Sequence, residues 1–316
     1  MRVLVTGGAG FIGSNLCESL LSQGHRVTAV DNLITGRQAN LETLLADERF
    51  SFLESDTALM PSQAVDAIFH LASPASPVGY GRYPIETLLA NAEGTHRVLD
   101  VAREAGAKFL LASTSEIYGD PLEHPQKESY WGNVDPIGPR SCYDEGKRYA
   151  ESLTTWYGRE LGVDSRTVRI FNCYGPRNAP DDGRMVPTFV GQALRDAPIT
   201  VYGDGSQTRS LCYVDDLVRG LELALFSPAT SGGVFNLGNP QEHTVLEFAE
   251  MIREVSGSRS AIVRAKAREG EIARRKPNIE RARRELGWSP AVDVRDGLRS
   301  TVAWYRQELA GTLVRP

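Results

Sequence analysis

The sequence predicts an α/β protein: a doubly wound, Rossmann-type parallel sheet followed by a smaller C-terminal α/β lobe. Three observations carry this expectation. A short apolar run, Val3-Leu4-Val5, is closed by Gly7-Gly8-Ala9-Gly10-Phe11-Ile12-Gly13 and followed by Leu16, Leu20 and Leu21, which reads as strand, glycine turn and helix. Apolar strand-like runs then alternate with helical segments, as in a parallel sheet covered on both faces. After about residue 173 the chain loosens into Pro- and Gly-rich loops, among them Gly175-Pro176-Arg177, Asp181-Asp182-Gly183-Arg184 and Gly203-Asp204-Gly205. Residues 1–172 are therefore read as the nucleotide-binding domain, with 210–238 returning to it, and 173–316 as the lobe that holds a substrate.

In the first unit, Gly7 and Gly10 allow a tight turn and close backbone approach to a pyrophosphate. Gly13 permits close helix packing, and the helix N-terminus, with Phe11 and Ile12 inside the turn, offers amide donors to the charge. A second strand, Arg26 to Val30, ends at Asp31, eighteen residues after Gly13. This is the place for an acid on the adenosine ribose, and it predicts NAD, because a 2′-phosphate would meet a negative charge. Arg37, six residues on, is the group that could offset it. Further strands are expected at Phe50 to Leu53, Ala67 to Leu71, Phe109 to Ala112 and Thr167 to Phe171, with helices around Pro84 to Ala105 and Ser141 to Leu161. Ligands of such sheets bind beyond the carboxyl ends of the strands. Asn32, Asp56, Leu71 and Ala72 complete the candidate cofactor set on that basis.

Composition narrows the function. A hydrophobic content of 41% and a charged content of 24% are those of a globular protein. A net charge of −5 gives no general affinity for nucleic acid. The four cysteines, Cys17, Cys142, Cys173 and Cys212, are scattered, without a Cys-x-x-Cys pair or a histidine cluster, so neither a metal site nor a disulfide framework is expected. No apolar run reaches the length of a membrane span, and strand residues follow Met1 at once. A cytoplasmic protein with no membrane partner is the expectation.

The stretch Cys142-Tyr143-Asp144-Glu145-Gly146-Lys147-Arg148 carries the chemistry. Tyr143 and Lys147 are four residues apart on a predicted helix and share a face. Lowering a phenol from its ordinary pKa near 10 by about three units takes roughly 4 kcal/mol, and an ammonium about 4 Å away supplies attraction of that order. The pair therefore predicts a tyrosinate base. Ser113-Thr114-Ser115-Glu116 stands at a strand end within reach of the same region.

Longer stretches add a resemblance. His70-Leu71-Ala72-Ser73-Pro74-Ala75-Ser76-Pro77, Leu111-Ala112-Ser113-Thr114-Ser115-Glu116 through Tyr118-Gly119-Asp120-Pro121, and Pro136-Ile137-Gly138-Pro139-Arg140 through Tyr143 to Arg148 resemble the extended short-chain dehydrogenase/reductase superfamily. Within it they are most similar to the UDP-glucuronate decarboxylases. Ser206-Gln207-Thr208-Arg209, Leu237-Gly238-Asn239-Pro240 and Arg275-Lys276-Pro277 match that family too. The resemblance implies an NAD-dependent carboxy-lyase that converts a UDP-sugar through a 4-keto intermediate, with Tyr143, Lys147, Thr114 and Glu116 as catalytic residues. It places Arg209 and Arg275 at the nucleotide-sugar diphosphate, or near it, and Ser115, Arg140, Asn172, Arg184 and Tyr202 with the substrate. It also implies a homodimer through the helices at Pro84 to Ala105 and Ser141 to Leu161. A 4-epimerase of a UDP-uronate, a dTDP-uronate decarboxylase and a non-catalytic NAD-binding scaffold remain alternatives. Ser115-Glu116 argues against a 4,6-dehydratase, in which Asp-Glu typically stands at this point. One departure concerns Leu89: the family carries a lysine there that faces the active site, and leucine cannot hydrogen-bond a sugar or carboxylate. Loss of that contact predicts weaker retention of the 4-keto pentose, so that some escapes.

Overall fold

The computed structural model describes residues 1–267 and 275–314. Its centre is a seven-stranded parallel sheet. The strands are β1 (Arg2–Thr6), β2 (Arg26–Asp31), β3 (Phe50–Glu54), β4 (Ala67–His70), β5 (Lys108–Thr114), β6 (Ser165–Ile170) and, from much later in the chain, Val234–Leu237. The spatial order is Val234–Leu237, β6, β5, β4, β1, β2, β3. Strand order reverses between β1 and β4, and that reversal opens a crevice at their carboxyl ends.

Alternation along β1 shows why the run is apolar throughout. Val3 and Val5 face one core, with Leu16 and Leu20 of helix α1 (Phe11–Ser22), whereas Leu4 faces the other, with Val98 and Leu99. Both faces are covered, so neither side of the strand can be polar. The second core is closed by the segment from residue 77 to 105 and by the long helix Ser141–Leu161. That long helix stops at Gly162, whose φ of +70° suits a residue without a Cβ.

The segment expected as one helix from Pro84 to Ala105 is helical throughout: α3 (Pro84–Leu89) passes through a π-helical stretch, Ala90–Gly94, into α4 (Thr95–Ala105), and a short helix α2 (Pro77–Arg82) precedes it. The π-helical stretch packs closely on its neighbours. A Cβ on Gly94 would lie 2.4 Å from Thr57 Oγ1, and Asn91 Nδ2 donates to the Thr87 carbonyl at 2.8 Å and to Ser73 Oγ at 2.9 Å. Elsewhere the expected helix from Ser141 to Leu161 is α5, with those bounds. Strand β5 runs past Ala112 to Thr114, which puts Ser113 and Thr114 on the strand.

Beyond β6 the chain forms β7 (Cys173–Tyr174), α6 (Met185–Leu194), β8 (Ile199–Tyr202), β9 (Thr208–Arg209), β10 (Cys212–Tyr213) and α7 (Val214–Phe226). There follow β11, the sheet strand Val234–Leu237 already placed beside β6, then β12 (His243–Thr244), α8 (Val245–Ser256), β13 (Ile262–Ala265), α9 (Glu280–Leu286) and α10 (Val294–Val314). Strands β8 and β13 pair in parallel, β9 and β12 antiparallel. Helix α8 starts with a reciprocal capping box between Thr244 and Glu247. Among the described residues no helix is long and apolar enough to cross a membrane, and no group of three or more His, Cys, Asp or Glu could hold a metal.

Candidate active site

One cavity of about 1020 Å³ lies over the crevice between β1 and β4 and continues toward the later part of the chain. Its floor is the glycine turn. Gly7 has a φ of +70°, and a Cβ there would come within 2.9 Å of the Leu71 carbonyl carbon and the Ala72 nitrogen. A Cβ on Gly13 would sit 2.1 Å from the Gly7 carbonyl oxygen. The backbone thus reaches the cavity bare, and α1 begins at Gly10 with no side chain capping its first amides. Those amides are available to a pyrophosphate.

At the end of β2, Asp31 accepts hydrogen bonds from the Ala9 N–H at 3.0 Å and the Leu33 N–H at 2.9 Å. Burial pushes its pKa up, against the pull of those two donors. Asn32 Nδ2 donates to Asp56 at 3.0 Å, and Asp56 caps the 3-10 turn that follows it. Gly7, Gly10, Phe11, Ile12, Gly13, Asp31, Asn32, Asp56, Leu71 and Ala72 all line the cavity. Bare glycine backbone, uncapped helix amides and a strand-end acid fit NAD. When bound, NAD supplies a hydride acceptor and the positive charge of its nicotinamide ring.

The reaction centre lies where α5 crosses the end of β5. Tyr143 is buried, its ring stacked on Tyr80 with centroids 5.3 Å apart, and the Thr114 side chain lies near its hydroxyl. Lys147 is buried on the same face, 6.0 Å from the centre of the Tyr143 ring, and donates to the Ala112 carbonyl at 2.9 Å. Both groups feel the loss of water. Burial pushes the phenol up to about 12, with the Thr114 hydrogen bond opposing it. Burial brings Lys147 down to about 8, while Glu151 pulls the other way.

This geometry departs from the simple ion-pair expectation. The ammonium is turned to a carbonyl and does not by itself depress the phenol; desolvation wins. What α5 and β5 provide is a buried phenol and a threonine hydroxyl on the same cavity wall, beside a lysine that is mostly cationic at neutral pH.

Glu116, two residues past Thr114, is held from two sides. Arg140 bonds one of its oxygens and Arg275 the other. Burial alone would raise the carboxyl, but the two guanidiniums outweigh it and hold the pKa below the usual range. Glu116 is therefore an ionised acceptor. Nε of Arg140, Nε of Arg275 and Oδ1 of Asp144 are buried without partners. Asp144 itself is pushed up to about 7, first by burial and then by Glu116.

Ser115, Arg140, Asn172, Arg184, Tyr202 and Arg209 line the same cavity, as do Thr114, Glu116, Tyr143 and Lys147. Arg184 lies in a loop folded over α2: it donates to the Ala75 carbonyl and stands 3.5 Å from Asp182. Arg275, by contrast, does not line the cavity. It pairs with Glu116, which does, and makes a further bond to the Gly119 carbonyl at 3.4 Å. Arg274 of the same basic run is outside the described residues. Leu89 faces the cavity and is 46% exposed, with Arg82 and Arg140 also on the lining. Tyr80 and Asp144 were not legible as site residues. Ser76-Pro77 signals only a helix start before Tyr80, and Asp144 is one charge among several on α5.

Residues 3–238 match the model of the NAD dependent epimerase/dehydratase family. The chain is 50% identical over 309 residues to UDP-glucuronic acid decarboxylase 1 of Arabidopsis thaliana, covering 98% of this chain and 71% of that protein. It is 49% identical over 308 residues to UDP-glucuronic acid decarboxylase 1 of Xenopus tropicalis, covering 98% and 73%. Among solved structures it superposes on UDP-glucuronic acid 4-epimerase from Bacillus cereus, in complex with UDP-glucuronic acid and NAD, with a TM-score of 0.87 and 30% identity, covering 98% of this chain and all of that one. With its glycine turn, strand-end acid and Tyr143-Lys147 helix face, the chain belongs to the NAD dependent epimerase/dehydratase family, that is, the extended short-chain dehydrogenase/reductases.

Proposed function

We propose that the protein decarboxylates UDP-glucuronate to UDP-xylose with NAD regenerated in each cycle. The observation that carries this reading is Glu116, ionised between Arg140 and Arg275 two residues from Thr114 and on the same cavity as Tyr143. Half-identity to decarboxylases over almost the whole chain supports it. Tyr143, in its deprotonated form, takes the proton of the sugar's 4-hydroxyl as carbon 4 is oxidised, with Thr114 at the same oxygen. A nearby positive charge, which the nicotinamide ring of NAD would supply when bound, would draw the phenol down from the value burial gives it. The product is a β-keto acid. Its bond between carbon 5 and the carboxyl carbon breaks, carbon dioxide leaves, and the electron pair passes to the ketone oxygen as an enolate. Tyr143 and Thr114 stabilise that oxyanion. Carbon 5 must then gain a proton. Glu116 lacks one to give, so its part is to orient a water from which the proton comes, before the stored hydride returns to carbon 4.

In the same reading, residues 1–172 with 210–238 hold the dinucleotide and the remainder of 173–316 holds the UDP-sugar, Arg184, Tyr202 and Arg209 facing it. Two copies pair through the helical segments Pro84 to Ala105 and Ser141 to Leu161, where Tyr149, Trp156 and Leu161 are exposed apolar residues along α5. A monomeric mass at micromolar concentration would remove that part. The function itself is tested by incubating the protein with UDP-glucuronate and NAD. Carbon dioxide and a UDP-pentose are expected, without net consumption of NAD; UDP-galacturonate with no carbon dioxide would make it an epimerase instead.

A further inference from the structure

Arg37 lines the dinucleotide cavity beside Asp31. Its backbone N–H donates to the Ala9 carbonyl at 3.0 Å, and the Ala9 N–H in turn bonds Asp31, so the arginine is anchored against the glycine turn. Its guanidinium does not stand alone. One Nη is ion-paired with Glu308 of α10, 271 residues further along the chain, while the other is buried without a hydrogen-bond partner. Asp181 and Asp182 line the same cavity, and both act on the buried Tyr305 hydroxyl together with Arg37 and Glu308.

A 2′-phosphate on the adenosine ribose is accommodated where an arginine is free to meet it and refused where a carboxylate stands. Asp31 supplies the refusal that the sequence shows. Arg37 is placed to undo it. We propose that Glu308 is a specificity-determining residue for the cofactor: by engaging Arg37 it denies a 2′-phosphate its cation, so that the site takes NAD and refuses NADP. The acid comes from the C-terminal helix, so cofactor choice is shared between the end of β2 and the last described helix of the chain. The inference concerns the adenosine end alone and holds whichever sugar nucleotide the protein converts.

The test uses the full chain and does not depend on activity. Protein is equilibrated with equimolar NAD and NADP, freed of unbound nucleotide by gel filtration and denatured, and the retained dinucleotides are quantified by mass spectrometry. Glu308→Gln is expected to raise the retained ratio of NADP to NAD by about tenfold or more over the parent. Glu308→Ala, which removes the acid differently, should do the same and guards against a local folding fault in one variant. Adding Arg37→Met to either should abolish the rise. An unchanged ratio in both single variants, or a rise that survives Arg37→Met, would overturn the proposal.

Discussion

Glu116 and Arg275 are joined carboxylate to guanidinium across 159 residues of chain, with Arg140 on the acid's other oxygen. The pair stands next to Thr114, yet it makes none of the contacts that a hydride step needs. Glu116→Gln should therefore leave the first oxidation in place and slow pentose formation, by about 10² to 10⁴ if Glu116 directs the proton. It also leaves two arginines without their charge partner. Breaking a buried pair typically costs about 3–5 kcal/mol, so a lowered urea midpoint should accompany the kinetic loss. Absorbance of NADH alongside carbon dioxide release checks this; an unslowed pentose yield would remove Glu116 from the reaction.

Tyr143→Phe separates base from packing. The ring keeps its stacking on Tyr80, so NAD binding should persist, while oxidation at carbon 4 falls by about 10² to 10⁴. In the parent, the rate of that step should rise with pH across the neutral range, because burial keeps the phenol protonated and only its deprotonated form is a base. A Phe variant making normal amounts of pentose would mean that another group is the base.

Asp144 predicts how stability varies with pH. Its carboxyl rises from 3.8 to about 7 on folding, so the folded chain holds the proton more tightly. The stabilising contribution is complete below about pH 3.8 and is lost as pH rises to about 7. Asp144→Asn is neutral throughout and should gain on the parent between pH 5 and pH 8. About two pH units of that window are spanned, which corresponds to roughly 3 kcal/mol. Urea midpoints at the two pH values measure it; an equal difference at both would show that Asp144 stays ionised.

Leu89 tests retention of the intermediate. If its apolar side chain fails to hold the sugar, the parent should leave some NADH on the protein and release a 4-keto sugar nucleotide. Leu89→Lys adds a charge-assisted hydrogen bond, a contact of about 1.5–3 kcal/mol, and should suppress the leakage roughly tenfold or more. Product analysis with and without the lysine decides it: leakage absent in the parent, or unmoved by lysine, leaves position 89 without this role.

Legibility in the sequence followed contact distance. The glycine turn, Asp31 and the Tyr143-Lys147 spacing are local patterns set by strand, turn and helix periodicity, and the sheet could be read from its apolar runs. Tyr80 reaches Tyr143 from a separate short helix, Arg275 reaches Glu116 from far along the chain, and Glu308 reaches Arg37 from farther still. No periodicity encodes such meetings. The depressed phenol was misjudged for another reason: a charge four residues away can be counted from sequence, but the desolvation that outweighs it depends on everything packed around α5.

The strand β11 pairs with β6 in register, Val234 opposite Thr167. The chain between them holds β7 to β10, α6 and α7, so the sheet gains its last edge only after that whole stretch has been brought round. Closing a loop of that length costs entropy before the ladder returns any of it, and topologies dominated by distant pairings fold slowly. Until β11 arrives, β6 is an open edge able to template pairing with another chain. The stretch that lays Arg184, Tyr202 and Arg209 over the cavity is therefore also what the nascent sheet must wait for.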